Sequence, residues 1–317
     1  MQPYVHIFFM DGVGLGAPDE HTNPFTRADM PALSALLGDG WQFALDHPVM
    51  GERATLVPTD ATLGVAGRPQ SATGQATILT GRNVPQLIGE HYGPKPNPAV
   101  AEVIRRGTLF SQVVEADGQA ALLSPYPQGY FDAIDSGRRL LSAVPLAATE
   151  AGLRLRTADD LRQGQAISPD FTNGAWRSHL GYDDIPVLTL SESGQQLAQL
   201  ASQFSFSFME HWPSDQIGHR GTLDEATSHL ETIDAFLGGV LSAWDDEAGL
   251  LIITSDHGNL EATDIRQHTR NPVPTILVGR DQATLAHGIH DLTDIAKVVR
   301  QSLALEPLPV IAPLSLK

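Results

Sequence analysis

The chain of 317 residues contains no cysteine. Disulfide bonds, zinc–thiolate centres and thiol catalysis are therefore excluded, and any metal ion must be held by carboxylate, imidazole or hydroxyl groups. Basic side chains are scarce, because 20 Lys and Arg residues stand against 37 Asp and Glu residues, giving a formal net charge of −17. This charge repels nucleic-acid backbones and anionic membranes, so we expect neither as a partner.

Long apolar runs are also missing from the sequence. The first apolar run ends at Asp11, which makes it too short for a membrane span or a signal peptide. We therefore expect a cytoplasmic protein. Hydrophobic residues make up 42% of the chain and charged residues 18%, and these proportions are typical of a folded globular protein rather than a disordered one.

Strand-like and helix-like segments alternate along most of the chain. The predicted strands are residues 4–10, 119–124, 204–210, 250–255 and 274–279. The predicted helices are residues 30–37, 71–81, 99–116, 191–203, 223–243 and 292–303. Because several strands are apolar throughout, we predict an α/β fold in three layers, with a mostly parallel sheet covered by helices on both faces.

The periodicity weakens between residues 126 and 186, where six arginines occur. We predict a small inserted cap subdomain here, with residues 1–125 and 187–317 forming the metal-binding core. A guanidinium group can bind a phosphate or carboxylate through two hydrogen bonds. Arg138 and Arg177 are therefore candidates for substrate binding, together with His211 beside the core site.

Carboxylate and imidazole side chains follow three of the predicted strands. The six candidate metal ligands are Asp11, Asp215, His219, Asp256, His257 and His268. In open α/β sheets, functional residues gather at the carboxyl ends of the strands. Taken singly, each residue also has a plain structural role, such as a helix cap or a turn. Together they suit Mn, Zn or Mg, and six ligands are enough for two ions.

Ser71 opens a predicted helix that ends at Gly81. A serine hydroxyl is a weak nucleophile unless a base or a metal ion activates it. Neither a Ser-His-Asp order nor the glycine pattern of a nucleophile elbow surrounds Ser71, so metal activation remains. The alternative is that Ser71 only caps the helix. Both roles are compatible, because the amides of a helix N-terminus also bind phosphate.

Four ordered motifs resemble those of cofactor-independent phosphoglycerate mutases. They are Asp-Gly-Val-Gly at 11–14, Pro-Ser-Asp-Gln-Ile-Gly-His at 213–219, Asp-His-Gly-Asn-Leu-Glu at 256–261 and His-Thr-Arg-Asn-Pro-Val-Pro at 268–274. These mutases belong to the alkaline phosphatase superfamily, which also includes phosphopentomutases, sulfatases and nucleotide phosphodiesterases. The resemblance therefore implies an alkaline-phosphatase-like core and a small phosphorylated substrate.

The resemblance also implies two divalent metal ions and a nucleophile. One ion would be held by Asp11, Asp256 and His257 with the Ser71 oxygen. The other would be held by Asp215, His219 and His268. Many members place the nucleophile ten residues before the glycine that ends its helix, and this spacing leads from Gly81 back to Ser71.

The chain departs from the mutase pattern in two places. Gln-Ser-Ala-Thr-Gly-Gln at 70–75 stands where the mutases carry Asn-Ser-Glu-Val-Gly-His, and residues 126–186 stand where they have a far larger inserted domain. Since a mutase must shield its phosphorylated intermediate from water, we expect hydrolysis of a phosphomonoester or phosphodiester through phosphoserine at Ser71. The alternatives are a phosphomutase like the phosphoglycerate or pentose enzymes, and a non-catalytic metal-binding regulator.

Overall fold

The computed structural model describes residues 2–312, and a seven-stranded sheet forms its centre. The strands are β1 Tyr4–Met10, β2 Val49–Met50, β3 Ala54–Thr59, β4 Ala120–Leu122, β5 Phe206–His211, β6 Gly249–Ser255 and β7 Val273–Gly279. Their order across the sheet is β2-β3-β7-β6-β1-β5-β4. The α/β fold with helices on both faces of a sheet is therefore confirmed.

The sheet is evenly mixed, with three parallel and three antiparallel strand pairs, and not mostly parallel as predicted. Strands β4, β5, β1 and β6 pair in parallel, whereas the pairs β6–β7, β7–β3 and β3–β2 are antiparallel. Strand β3 was not predicted from the sequence, because Pro58 lies within it. The proline is tolerated because β2 pairs only with residues 55 and 56 of β3, so that side of the strand is free at Pro58.

Fourteen α-helices surround the sheet within residues 2–312. They are α1 Pro31–Leu37, α2 Ser71–Thr80, α3 Val84–Ile88, α4 Pro98–Arg105, α5 Leu109–Glu115, α6 Gln128–Asp135, α7 Ala143–Glu150, α8 Ala158–Arg162, α9 Gly174–Leu180, α10 Leu190–Ala201, α11 Pro213–Arg220, α12 Leu223–Ala243, α13 Gln282–Ala286 and α14 Thr293–Leu303. Two short 3-10 turns cover Pro24–Thr26 and Trp41–Phe43. None of the helices in this part of the chain has the length and apolarity that a membrane span requires.

The prediction of one helix over 99–116 is wrong. Helix α4 ends at Arg105 and α5 begins at Leu109. Gly107 between them has a φ of +111°, which no helix residue adopts. Thr108 then caps α5 by accepting a hydrogen bond from the Ser111 amide. The break follows from the glycine and the cap, which outweigh the apolar spacing.

The core lies on both faces of the sheet. Along β1, Val5, Ile7 and Phe9 pack on the face covered by α2, α4, α5, α7 and α14, while Tyr4, Phe8 and Met10 pack on the face covered by α1, α10 and α12. Because successive strand residues point to opposite faces, a strand covered on both is apolar at most positions, and the buried His6 of β1 is paired with the Ser207 hydroxyl. This explains why β1 is predicted so clearly from the sequence.

Residues 126–186, the predicted cap, do not pack as one separate body. Helix α7 contacts α2, α4 and α5, and Val144 and Ala147 belong to the same core as the α2 side chains. A small separate cluster comprises Ala158, Leu161, Ala166, Trp176 and Ile185. The small alanine side chains of α7 allow close approach to α2, and its burial hides the amphipathic pattern by which surface helices are recognised. Ile167 and Phe171 in turn belong to the core on the other face of the sheet, so residues 126–186 pack on both sides of the fold.

Candidate metal centre and nucleophile

The candidate ligands meet because three neighbouring strands end together. Met10, the last residue of β1, is in register with the last residues of both β5 and β6. Asp11 follows β1 directly, Asp256 and His257 follow β6, and Asp215 lies on α11 just after β5. The carboxyl edge of β6, β1 and β5 thus carries three carboxylates from distant parts of the chain.

Four side chains form the first cluster: Asp11, Ser71, Asp256 and His257. The Ser71 Oγ lies 3.1 Å from the Nε2 of His257. The same nitrogen lies 3.4 Å from Asp11 Oδ1 and 3.6 Å from Asp256 Oδ2. Ser71 is the first residue of α2 and is only 6% exposed. Its hydroxyl therefore faces two carboxylates and an imidazole at a helix N-terminus.

Three side chains form the second cluster: Asp215, His219 and His268. Asp215 Oδ2 lies 3.4 Å from His219 Nε2, and Asp215 Oδ1 lies 3.6 Å from His268 Nε2. Asp215 and His219 are one turn apart on α11, so they share a face of that helix. His268 reaches them from the loop before β7. The structure therefore brings all the sequence-predicted ligands into two adjoining clusters.

The hydrogen bonds of the second cluster show that the Nδ1 atom of each imidazole carries a proton. The Nδ1 of His268 lies 2.8 Å from the Pro69 carbonyl oxygen, and the Nδ1 of His219 lies 3.1 Å from that of Arg266. A carbonyl only accepts, so each Nδ1 carries a proton, and in the neutral tautomer each Nε2 carries a lone pair. The two Nε2 atoms face each other at 3.2 Å. Two facing lone pairs repel, and a shared cation relieves that repulsion.

The buried carboxylates also call for a cation. Burial, together with the neighbouring charges of Asp256 and Asp215, raises the pKa of Asp11 well above its ordinary value. Burial and Asp215 raise the pKa of Asp256 in the same way. Asp11 Oδ1 has no hydrogen-bond partner within residues 2–312. Carboxylate oxygens and imidazole nitrogens without cysteine are ligands for Mn or Zn, so these residues fit a divalent metal ion.

The ligand atoms divide between two sites with one shared residue. Asp215, His219 and His268 offer atoms within 4.8 Å of one another, and so do Asp11, Asp215 and His257. Asp215 thus belongs to both groups of ligand atoms. The ligand assignment implied by the resemblance places Asp215 on one ion only. Asp256 lies beside the group of Asp11, Asp215 and His257, because its Oδ2 atom is 3.6 Å from His257 Nε2.

Comparisons with known proteins agree with this geometry. Residues 181–307 match the Metalloenzyme superfamily, and this segment contains Asp215, His219, Asp256, His257 and His268. The chain carries a metalloenzyme-superfamily domain. Divalent metal cofactors follow from that family, whereas the identity of the metals does not.

Curated relatives are named as mutases. The 2,3-bisphosphoglycerate-independent phosphoglycerate mutase of Dinoroseobacter shibae is 34% identical over 89% of this chain and 66% of the relative. The enzyme of the same name from Acinetobacter baylyi is 35% identical over 41% of this chain and 26% of the relative. The chain thus spans just under two thirds of the first relative, and the second matches over about a quarter of its own length.

Solved structures share the fold of the metalloenzyme domain. The alkaline phosphatase of the Antarctic bacterium TAB5 superposes with a TM-score of 0.54 at 13% identity, covering 96% of this chain and 99% of that one. A protein from Pyrococcus horikoshii superposes with a TM-score of 0.57 at 13% identity, covering 96% and 98%. At these identities the likeness concerns the fold alone. An alkaline-phosphatase-like α/β architecture is therefore established for the chain.

A cavity of about 340 Å³ opens onto both clusters. Its lining includes Ser71, Asp215, His219 and His268 from the clusters, together with Arg68, Gln70, Pro94 and Gln267. The guanidinium of Arg68 donates a hydrogen bond to the side chain of Gln267 across the cavity. Arg68 was not predicted as a site residue, although it lies only three positions before Ser71.

The three substrate-binding candidates from the sequence are not in the cavity lining of the described chain. His211 is fully buried, stacks on Phe171 at a centroid distance of 4.6 Å and shares a hydrogen bond with His229. Arg177 donates to the Ile185 carbonyl, and Arg138 to the Ser136 hydroxyl. These side chains are engaged within their own segments, so the cavity arginine is Arg68 instead.

Supporting side chains hold the ligands of both clusters in place. Asn259 Nδ2 donates to Asp215 Oδ1 at 2.7 Å. Glu261 Oε2 accepts hydrogen bonds from the Gly14 and Asn259 amides at 2.9 and 2.8 Å. Glu261 therefore ties the loop after β1 to the loop after β6, the two loops that carry Asp11, Asp256 and His257. Gln75, which the sequence did not single out, contacts two carboxylates directly.

Proposed function

We propose that this chain transfers a phosphoryl group from a small phosphate ester to Ser71 and then on to an acceptor. The observation that carries this proposal is the Ser71 hydroxyl, which lies 3.1 Å from His257 Nε2 within the first cluster and lines the cavity. A nucleophile, a carboxylate–imidazole site and an opening for substrate are thereby combined in one place.

The residues of the chain divide the work as follows. Ser71 supplies the attacking oxygen, and the positive end of α2 favours the negative charge of the phosphate. Asp11, Asp256 and His257 would hold one ion with Ser71, and Asp215, His219 and His268 the other. Divalent ions bound there would act as Lewis acids that lower the pKa of a bound hydroxyl and offset the negative charge of the phosphate.

The first half-reaction is balanced without a further reagent. The bond from Ser71 Oγ to phosphorus forms as the ester P–O bond breaks, and the serine proton leaves with the released alcohol. Phosphoserine and an alcohol are the products. In the second half-reaction a hydroxyl group attacks the phosphoserine, and Ser71 recovers its proton.

We propose a hydroxyl of the same substrate as that second nucleophile, which makes the reaction a phosphomutase reaction. The support comes from the Dinoroseobacter shibae relative, which is named as a phosphoglycerate mutase and aligns over 89% of this chain. We rank hydrolysis second, although the short inserted segment in the sequence favours it. Phosphoglycerate is accordingly the first substrate to test.

Hydrolysis remains the second candidate because solvent reaches the site. The side chain of His219 is 35% exposed and that of Asp215 is 19% exposed. A mutase intermediate must wait in the site without meeting water. An open second cluster therefore favours transfer to water unless bound substrate covers it.

The test is ³¹P NMR of the Mn-loaded chain with phosphoglycerate and, in parallel, with a pentose phosphate. A new positional isomer without free phosphate supports the mutase reaction, and free phosphate supports hydrolysis. Ser71→Ala is expected to abolish whichever product forms. If the native chain produces neither from any phosphate ester, or if Ser71→Ala retains full activity, the proposal fails.

A further inference from the structure

Helix α2 carries a second polar side chain that faces the first cluster. Ser71 and Gln75 are four residues apart and therefore lie on the same face of α2. Gln75 is only 5% exposed. Its Nε2 lies 3.3 Å from Asp11 Oδ2 and 3.3 Å from Asp256 Oδ2. An amide nitrogen has two hydrogens, so it can give one hydrogen bond to each carboxylate.

The chemistry of the partners fixes the orientation of this amide. Carboxylates that bind a metal ion are ionised and only accept hydrogen bonds, so with the ion bound the nitrogen rather than the oxygen of Gln75 faces Asp11 and Asp256. The Oε1 atom is buried without a hydrogen-bond partner among residues 2–312. An unpartnered buried oxygen is unfavourable, and a methionine would fill the same space without it. The contacts with the two carboxylates therefore explain the amide, whereas packing alone does not.

The backbone beside Gln75 lies close to the same carboxylate. A Cβ atom at Gly74 would lie 2.8 Å from the Cβ of Asp256, so α2 packs directly on the chain at Asp256. All ten residues of α2 are buried. The helix therefore cannot shift along the sheet without moving the Gln75 amide away from both carboxylates. Contacts of backbone and side chain thus fix the position of Ser71 relative to the first cluster.

We propose that Gln75 is a positioning residue, and this inference rests on the proposed function of the site. Its amide holds the carboxylates of Asp11 and Asp256 in the spacing that binds a divalent ion and keeps Ser71 in register with them. Asp11 then presents its other oxygen, Oδ1, toward His257. The Oδ2 atom of Asp256 faces both Gln75 and His257. Side chains that orient metal ligands typically contribute 10–100-fold to metal affinity or activity.

The experiment measures Mn²⁺ binding to the metal-free chain by isothermal titration calorimetry, which needs no substrate. Gln75→Met keeps the volume of the side chain and removes the donor. We expect its Mn²⁺ affinity at one site to fall about 10–100-fold. Gln75→Asn keeps the amide but shortens its reach, and we expect a loss in the same direction. Thr77→Val is the matched control, because Thr77 is buried on the same helix and its hydroxyl bonds only the backbone.

The outcomes separate the two proposals. Native affinity in Gln75→Met, or an equal loss in Thr77→Val, overturns the positioning role. If Gln75→Met does not fold, native affinity in Gln75→Asn overturns it equally. Ser71→Ala is expected to retain Mn²⁺ binding, because Asp11, Asp256 and His257 would still hold the ion. A native chain that binds Mn²⁺ but transfers no phosphoryl group refutes the proposed function alone.

Discussion

The imidazole rings of His257 and His268 are stacked, with centroids 3.6 Å apart and planes inclined by 16°. This contact joins the first cluster to the second. Burial, followed by the proximity of His268, lowers the pKa of His257 well below its ordinary value. The pKa of His268 is lowered as well, chiefly by burial. Both rings are therefore neutral near pH 7, which is the form that binds a metal ion.

Binding of a divalent ion is expected to stabilise the folded chain. A ligand present at 100 times its dissociation constant adds about 2.7 kcal/mol when it binds only the folded state. Thermal unfolding should thus move to higher temperature with Mn²⁺ or Zn²⁺ and back again with EDTA. Differential scanning fluorimetry over a series of metal concentrations measures this shift.

The matched variants for that measurement are His268→Ala and His47→Ala. His268 belongs to the second cluster, so its removal should abolish most of the metal-dependent shift. His47 has a side chain that is 69% exposed and contacts only Asp46, so its removal should leave the shift intact. A full shift in His268→Ala would contradict the assignment of the second cluster as a metal site.

Gly74→Ala is expected to destabilise the chain by about 1–3 kcal/mol, the usual cost of forcing an added methyl group into a packed site. The new Cβ would meet Asp256 at 2.8 Å. Gly129→Ala on α6 is the control, because no atom lies within 4 Å of its added Cβ. There the helix propensity of alanine should give a gain of up to about 1 kcal/mol. Urea unfolding compares both, and equal stability of the two variants would contradict the close packing of α2.

Glu210 should make the stability of the metal-free chain depend on pH. Burial raises the pKa of Glu210 from 4.5 to about 7, although the hydrogen bond from Tyr126 opposes the rise. Between these values the folded chain keeps a proton that the unfolded chain has lost. Stability therefore falls as pH rises from 4.5 to about 7, by about 3 kcal/mol in total, and is level above that.

Glu210→Gln tests this expectation because glutamine does not titrate. Urea unfolding at pH 5 and pH 8 in EDTA should show a larger loss of stability for the native chain than for the variant. The difference between the two chains removes the contribution of the other carboxylates. An identical pH dependence in both would mean that Glu210 has an ordinary pKa.

Phosphoserine should accumulate at one position only. Acid quenching of the Mn-loaded chain during turnover, followed by peptide mass spectrometry, should find the phosphoryl group on Ser71. Ser71→Ala should show none and lose at least about 10³-fold in turnover, in line with the removal of other nucleophiles. Thr73→Val is the control, because the Thr73 hydroxyl bonds the backbone carbonyl of Gln70. Phosphate found on Thr73 would reassign the nucleophile.

The sequence by itself determined the central strands and the residues that follow them. Strands β1 and β6 are buried on both faces, so most of their residues are apolar and they stand out in the sequence. Asp11, Asp256 and His257 follow from the ends of those strands. The helix that begins at Ser71 follows from its spacing to Gly81, which ends α2 with a φ of +69°.

The tertiary structure alone decided which side chains meet. Gln75 contacts carboxylates 64 and 181 residues away, and no local pattern encodes such contacts. They exist because α2 packs on the carboxyl edge of the sheet. The same packing brings α7 into the core and leaves Arg68 rather than Arg138 or Arg177 at the cavity. Local sequence indicates the central strands and the helix at Ser71, whereas the approach of distant elements determines the chemistry between them.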